Sequence, residues 1–248
     1  MRYFIHLAYN GSSYHGWQSQ PNAVSVQETI EKALSLLLKT PIEIIGAGRT
    51  DAGVHAKEMF AHFDYETFLD SNYWVQKLNS YLPKSIVIYN IIPVLEDAHA
   101  RFDPISRTYE YHMHSFKDVF LNEMSWYYGN SLDLEKMNTA AAILLNHTDF
   151  ECFSKSNTDV FTYNCKITKA IWTKNGNHFV FTITADRFLR NMVRAIVGTL
   201  VNIGLGKIEV EELHTILESK NRSKAGFSAP AHGLYLTQIE YPYIPKSN

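Results

Sequence analysis

Arg2–Tyr9, RYFIHLAY, alternates apolar and polar residues in the manner of a half-buried strand. A polar, Gly- and Ser-rich stretch follows, Asn10–Asn22, carrying Tyr14, His15 and Trp17. Ser25-Val26-Gln27-Glu28 has the spacing of a capping box, in which the serine oxygen accepts an early backbone N–H. It predicts a helix to about Lys39 with Ile30, Leu34, Leu37 and Leu38 on one face, stopped by Pro41. Short apolar runs predict strands over Ile42–Ala47 and Glu58–Tyr65, with a loop, Gly48–His55, between them. Asp70–Leu82 reads as a helix ended by Pro83, and Ile86–Val94 as a strand.

The pattern then repeats in kind. Arg107–Ser115 alternates as a strand, and Leu132–Leu145 is Ala- and Leu-rich and helical. Thr162–Trp172 and His178–Ala185 flank Asn175-Gly176-Asn177, a turn whose residues tolerate positive φ. Arg187–Ile203 has helical spacing, with Phe188, Met192, Ile196 and Leu200 recurring near every fourth residue. Val210–Leu217 predicts another helix and Leu234–Ile239 a last strand. Adjacent strands joined by hairpins favour antiparallel or mixed sheets over a doubly wound parallel one. The chain therefore reads as α+β, with two α/β domains, 1–100 and 101–248, and the boundary near Glu96–Pro104.

Length agrees, since 248 residues suit one large or two modest domains. The longest apolar run is far short of the ~20 residues of a membrane span. The N-terminus has no signal-peptide pattern, so the expected location is the cytoplasm. Two cysteines, Cys152 and Cys165, make neither a disulfide framework nor a four-ligand zinc site. The net charge is -2, but it is unevenly spread. Asn164–Arg194 carries Lys166, Lys169, Lys174, Arg187, Arg190 and Arg194 against the single acid Asp186. A local field of this sign suits a polyanion more than the total suggests, although a solvated strand face explains it equally well.

The densest chemistry lies in Gly46-Ala47-Gly48-Arg49-Thr50-Asp51-Ala52-Gly53-Val54-His55-Ala56, between two strands. Glycines allow sharp turns and close approach by another molecule. A guanidinium near a carboxylate keeps it ionised, as a nucleophile or base requires. The alternative is a structural turn in which Asp51 caps backbone N–H groups. Asp51-Ala52-Gly53 is similar to the aspartic-protease triplet, but a second copy is missing and Ala52 lacks the hydroxyl. Glycosidases need two framed carboxylates, and only one is present. No His-Glu-x-x-His, phosphate loop or dinucleotide fingerprint occurs. Tyr109 and Tyr111 share one strand face, where they form either a stacking platform or a core pair. Arg187, Arg190 and Arg194 are three and four apart and, on a helix, would share one face. The residues leave two readings open, a non-catalytic binder of structured RNA and a nucleoside or glycoside hydrolase using Asp51; the resemblance below adds a third, an isomerase.

Five blocks in order resemble the tRNA pseudouridine synthase A (TruA) family. They are Ile5–Gly11 with Tyr14, Gly16-Trp17-Gln18 and Gln20; Gly48–Ala56; Ala100-Arg101-Phe102 with Tyr109-Glu110-Tyr111; Phe188-Leu189 with Met192-Val193-Arg194 and Ile196-Val197-Gly198; and Ala229–Leu236. The resemblance implies isomerisation of uridine to pseudouridine in the tRNA anticodon arm, at positions 38 to 40. It implies two α/β domains with mostly antiparallel sheets flanking a central basic active-site cleft, and a homodimer without metal or organic cofactor. By carry-over Asp51 is the catalytic aspartate. Arg49 pairs with it and helps hold the flipped nucleotide, and Tyr109 stacks on the uracil and assists at C5. Arg194 orients Asp51, and Leu234 lines the pocket. Arg187, Arg190, Lys166 and Lys169 are the further candidates for RNA contact. Met59 stands where many members carry glutamine, which bears on a secondary contact.

Overall fold

A computed structural model describes residues 1–155 and 160–245. The chain divides into two compact units, Met1–Ile105 with Leu236–Asn248, and Ser106–Tyr235.

In the first unit β1 (Arg2–Tyr9) lies between β3 (His55–Asp64) and β4 (Ile86–Val94), antiparallel to both. The strand β9 (Leu234–Glu240) enters this unit from Leu236 onward and neighbours β3. β1 is buried on both faces, which is why its alternation is only partial. Helix α1 (Val26–Leu38) starts where Ser25 Oγ accepts the Glu28 N–H at 3.2 Å, the cap its sequence predicts. It buries Val26, Ile30, Ala33, Leu34 and Leu38. Helix α2 (Ser71–Tyr81) begins at Asp70, whose carboxylate accepts the Tyr73 N–H at 2.8 Å. Its Asn79 clamps β4, donating to the Ile88 carbonyl and accepting the Ile88 N–H, both at 2.8 Å.

The expected strand over Ile42–Ala47 shrinks to β2 (Ile45–Gly46). The cause lies in α1. Ser35 Oγ accepts the Ile42 N–H at 2.8 Å, Glu31 accepts the Ile44 N–H at 3.0 Å, and Gln27 donates to the Ile44 carbonyl at 3.0 Å. Helix side chains thus take the backbone groups that a sheet ladder would need.

A polar network anchored on buried His62 and Tyr241 holds the turn 98–103. His62, buried in β3, accepts the Ala100 N–H on Nδ1 at 3.1 Å. Asp103 accepts the His99 N–H and the Tyr243 hydroxyl, both at 2.6 Å, and Tyr241 donates to the Ala100 carbonyl. Arg2, paired through two 2.9 Å bonds with Asp64, donates to the Ala98 carbonyl. Burial, helped by the neighbouring His99 and Arg2, pushes the His62 pKa down to about 4. His62 is therefore neutral in the folded protein and protonates first in the unfolded chain. Its stabilising contribution is full above pH 6.5 and is lost as pH falls toward 4, on the order of 2–3 kcal/mol. Urea midpoints should fall between pH 7 and pH 4.5, while the His62 imidazole signal stays neutral in the folded protein. An imidazole that titrates near 6.5 without loss of stability would remove this explanation.

In the second unit β8 (His178–Ala185) lies between β5 (Ser106–His114) and β7 (Ile167–Asn175), antiparallel to both. The Asn175-Gly176-Asn177 turn joins β7 and β8, with Gly176 at φ 57°. The short β6 (Trp126–Tyr127) runs parallel to the end of β5. Helix α3 (Leu134–Ile143) docks on β7 through Asn138, which pairs with both the N–H and carbonyl of Trp172. Helix α4 (Met192–Gly204) is buried almost all round and α5 (Glu212–Glu218) buries Leu213, Ile216 and Leu217. The protein is thus mixed α/β with predominantly antiparallel pairing. Among the described residues no helix is long and apolar enough to cross a membrane.

The expected helix over Arg187–Ile203 is corrected at its start. α4 begins at Met192, after Asn191 in the left-handed conformation at φ 68°. Asp186 explains the delay, because its carboxylate accepts the Lys166 N–H at 2.8 Å and the Arg187 N–H at 2.7 Å. Those bonds tie the strand exit to residue 166 before the helix can begin. Arg187 and Arg190 therefore precede the helix, and they do not share a helical face with Arg194.

Candidate active site

Asp51 sits in the loop between β2 and β3, and that loop is built largely by another. Gly11 donates its N–H to the buried His55 Nδ1 at 3.1 Å. Gly53 donates to the Tyr14 carbonyl and Trp17 to the Thr50 carbonyl, each at 3.3 Å. Tyr9 and Thr50 share a hydroxyl–hydroxyl bond of 2.9 Å. Val54 closes the turn onto the Asp51 carbonyl at 3.2 Å. The polar Asn10–Asn22 stretch is thus a scaffold clasping residues 50–55 from one side. Two of its glycines are there for proximity. A Cβ on Gly11 would lie 2.0 Å from the Val54 carbonyl oxygen, and one on Gly16 would lie 2.3 Å from that of Thr50. The buried Trp17 ring also fills the place where a Gly46 side chain would stand.

Within this frame Asp51 is half-buried and Arg49 exposed. Arg49 Nε donates to Gln18 Oε1 at 3.0 Å, so the scaffold also orients the guanidinium. A carboxylate on a loop fixed by several backbone bonds has little freedom to lose when a substrate arrives, which is what positioned catalysis requires. Met59 is fully buried in β3 and paired in register with Leu7, so it serves the core.

The second unit resolves the two tyrosines. Tyr111 is fully buried, donates to the Pro230 carbonyl at 2.8 Å, and has its phenol pushed well above the ordinary value by burial. Tyr109 is half-buried and meets Phe188 edge to face, centroids 5.1 Å apart. Arg194 is anchored, with Nε donating to the Ala229 carbonyl at 2.7 Å and its own carbonyl accepting the Ala229 N–H at 3.0 Å. Leu234 is buried at the start of β9. Lys166, Lys169 and Arg190 are exposed, and Arg187 is half-buried. Cys152 and Cys165 are buried free thiols pushed up to about 12 by burial, so they stay protonated and unreactive.

Comparison with known proteins bears on both units at once. The family described as tRNA pseudouridine synthase matches residues 6–103 and 140–242. The chain belongs to that family. A tRNA pseudouridine synthase A from Parabacteroides distasonis is 52% identical over 242 residues, covering 97% of this chain and 96% of the relative. Its counterpart from Porphyromonas gingivalis is 54% identical over 245 residues, with 97% of each covered. More distantly, one from Shewanella amazonensis is 38% identical over 244 residues, covering 98% and 94%. The protein is accordingly an isomerase of the pseudouridine synthase type.

Residues that local pattern did not single out also belong to this region of the synthase. Gln18, Gln27 and Arg101 join Trp17, Gly48 and Arg49 in lining a pocket of about 110 Å³ beside the Asp51 loop. Gln18 lay inside a recognisable block, but nothing in its spacing pointed to Arg49. Arg101 is separated from the loop by two strands and a helix, so only the fold places it there. Among the described residues no group of three or more His, Cys, Asp or Glu side chains is placed to hold a metal ion.

Proposed function

We propose that this synthase converts uridine to pseudouridine in the anticodon arm of tRNA, at positions 38 to 40, with Asp51 as the reacting carboxylate. The observation that supports this most directly is the construction around Asp51, where a carboxylate and an oriented guanidinium stand on a loop clasped by backbone bonds. The reaction breaks the bond between C1′ and N1, turns the uracil, and joins C1′ to C5. The C5 proton leaves and N1 gains one, so atoms and electrons balance without a redox partner. Asp51 adds to the sugar or removes its 2′ proton; both routes need it anionic.

The proposed roles are spread along the chain. Residues 1–100 carry the carboxylate loop, where Arg49 steadies Asp51 and the extruded nucleotide. Residues 101–248 supply Tyr109 to stack on the uracil and assist at C5, Arg194 to orient the carboxylate, and Leu234 as an apolar wall. Flipping a stacked base costs a few kcal/mol, which stacking and a cation offset. Several adjacent targets imply recognition of RNA shape and backbone rather than base edges. The enzyme works without metal or organic cofactor, as a homodimer, in the cytoplasm.

Mapping pseudouridine in tRNA incubated with the purified protein tests the reading. Product confined to positions 38–40 is expected, with tritium released from C5-labelled uridine. Product elsewhere, or none, would overturn it. The exposed cations Lys166, Lys169 and Arg190 supply backbone contacts. Charge reversal at these three should weaken tRNA binding and flatten its salt dependence by about 0.7–0.9 in log–log slope per lost contact. An unchanged slope would place the RNA on another surface.

A further inference from the structure

The pocket beside the Asp51 loop has a lining whose chemistry is one-sided. It contains two guanidiniums, Arg49 and Arg101, two amides, Gln18 and Gln27, and no acid. The arginines come from separate segments. Arg49 stands on the loop, and its Nε bond to Gln18 leaves the two terminal amino groups, the end-on fork, for a ligand. Arg101 stands on the 98–103 turn that His62, Asp103, Tyr241 and Arg2 hold in place. Its own backbone N–H is tied to His99 Nδ1 at 3.1 Å. At Gly48 a side chain would enter open space, so glycine here leaves the pocket floor as bare backbone that a ligand can approach.

Next to Arg101 is Phe102, 73% exposed. Its ring lies 4.3 Å from that of His99, and the Arg101 guanidinium is 5.6 Å from its centroid. An exposed ring beside a cation that itself lines an acid-free pocket matches what a nucleotide needs: a fork for a phosphodiester and a flat face for a base. A loose surface cation would not require the turn beneath it to be so fully bonded.

We propose that this pocket is a subsite for a nucleotide adjoining the target uridine, with Arg49 and Arg101 gripping one flanking phosphodiester and Phe102 stacking on the neighbouring base. The inference rests on the tRNA-modifying reading above and adds a positioning role for Arg101, Phe102 and Gln18. Fixing the phosphate next to the target fixes where the extruded sugar can lie, so the subsite governs register on the RNA.

The test uses an anticodon stem-loop RNA with a neutral methylphosphonate placed, one at a time, at each phosphodiester flanking the target. Equilibrium binding and pseudouridine formation are both measured. Arg101→Ala should weaken binding and raise KM roughly tenfold and lower the salt slope by about 0.7, with the larger effect on KM than on kcat. Arg101→Lys should recover part of the loss, since charge is kept but the fork is not. One methylphosphonate should weaken binding to the parent protein roughly tenfold and add nothing to Arg101→Ala, the signature of a shared contact. Equal methylphosphonate losses in both proteins, or a parental Kd and slope in Arg101→Ala, would overturn the subsite. Thermal unfolding separates misfolding from lost contact, and Arg101→Lys carries the test should the alanine variant unfold. A parent protein that binds the RNA with this coupling yet forms no pseudouridine would refute the catalytic reading while supporting the subsite.

Discussion

Asp51→Asn is expected to reduce pseudouridine formation by at least about a thousandfold while leaving the protein folded and able to bind tRNA. The substitution keeps shape and size and removes only the ability to be anionic. Both routes open to Asp51 need the anion, so neither survives it. Backbone bonds frame the loop here, with Val54 bonded to the Asp51 carbonyl, Trp17 to the Thr50 carbonyl and Gly53 to the Tyr14 carbonyl. Stability should therefore change little. Binding should hold or tighten slightly at low salt, because a negative charge has been taken away from a surface that meets a polyanion. Tritium release gives the rate, and a filter or fluorescence assay gives the affinity. Turnover within tenfold of the parent protein would remove Asp51 from the chemistry. Lost binding with lost turnover would make it a structural turn residue instead.

Much of the secondary structure was legible because it is locally determined. β1 has the bounds its alternation predicts and β4 those its β-rich composition predicts, and α1, α2 and α3 start at Ser25, Asp70 and Asp133, whose side chains accept an early N–H in each case. Local reading failed where side chains from elsewhere claimed the backbone. Ile42 and Ile44 are apolar and β-branched, yet Ser35, Glu31 and Gln27 of α1 take their ladder groups. The stripe from Phe188 onward suggests a longer α4, but the Asp186 carboxylate takes the Lys166 and Arg187 N–H groups and left-handed Asn191 sets the start. The Asp51 loop could be located from its glycines, whereas the partners that shape it could not. Gly11 and Gly16 are 43 and 34 residues away from the carbonyls they approach, and such distances leave no periodicity to read.

Gly16→Ala is expected to damage both stability and rate through geometry alone. Gly16 has φ +91°, a region L side chains rarely adopt, and its Cβ would lie 2.3 Å from the Thr50 carbonyl oxygen. The left-handed backbone costs about 1–2 kcal/mol. The clash is with backbone rather than a flexible side chain, so the scaffold and the 50–55 loop must part by about 0.7 Å to reach the ~3 Å floor for such contacts. The Trp17 N–H bond to Thr50 is broken or bent by that movement. Together these amount to roughly 3 kcal/mol, or a fall in Tm of about 6–12 °C. Asp51 follows Thr50 directly, and a displacement of ~1 Å at a reacting group can cost about a hundredfold in kcat. Gly11→Ala isolates the steric part, since its Cβ would meet the Val54 carbonyl at 2.0 Å without a positive φ. Gly48→Ala lies on the same loop with nothing within 4 Å of its Cβ and should leave Tm unchanged. Differential scanning calorimetry with single-turnover rates for all three would decide it. A Gly16→Ala protein with parental Tm and rate would mean that the Asn10–Asn22 scaffold does not set the position of Asp51.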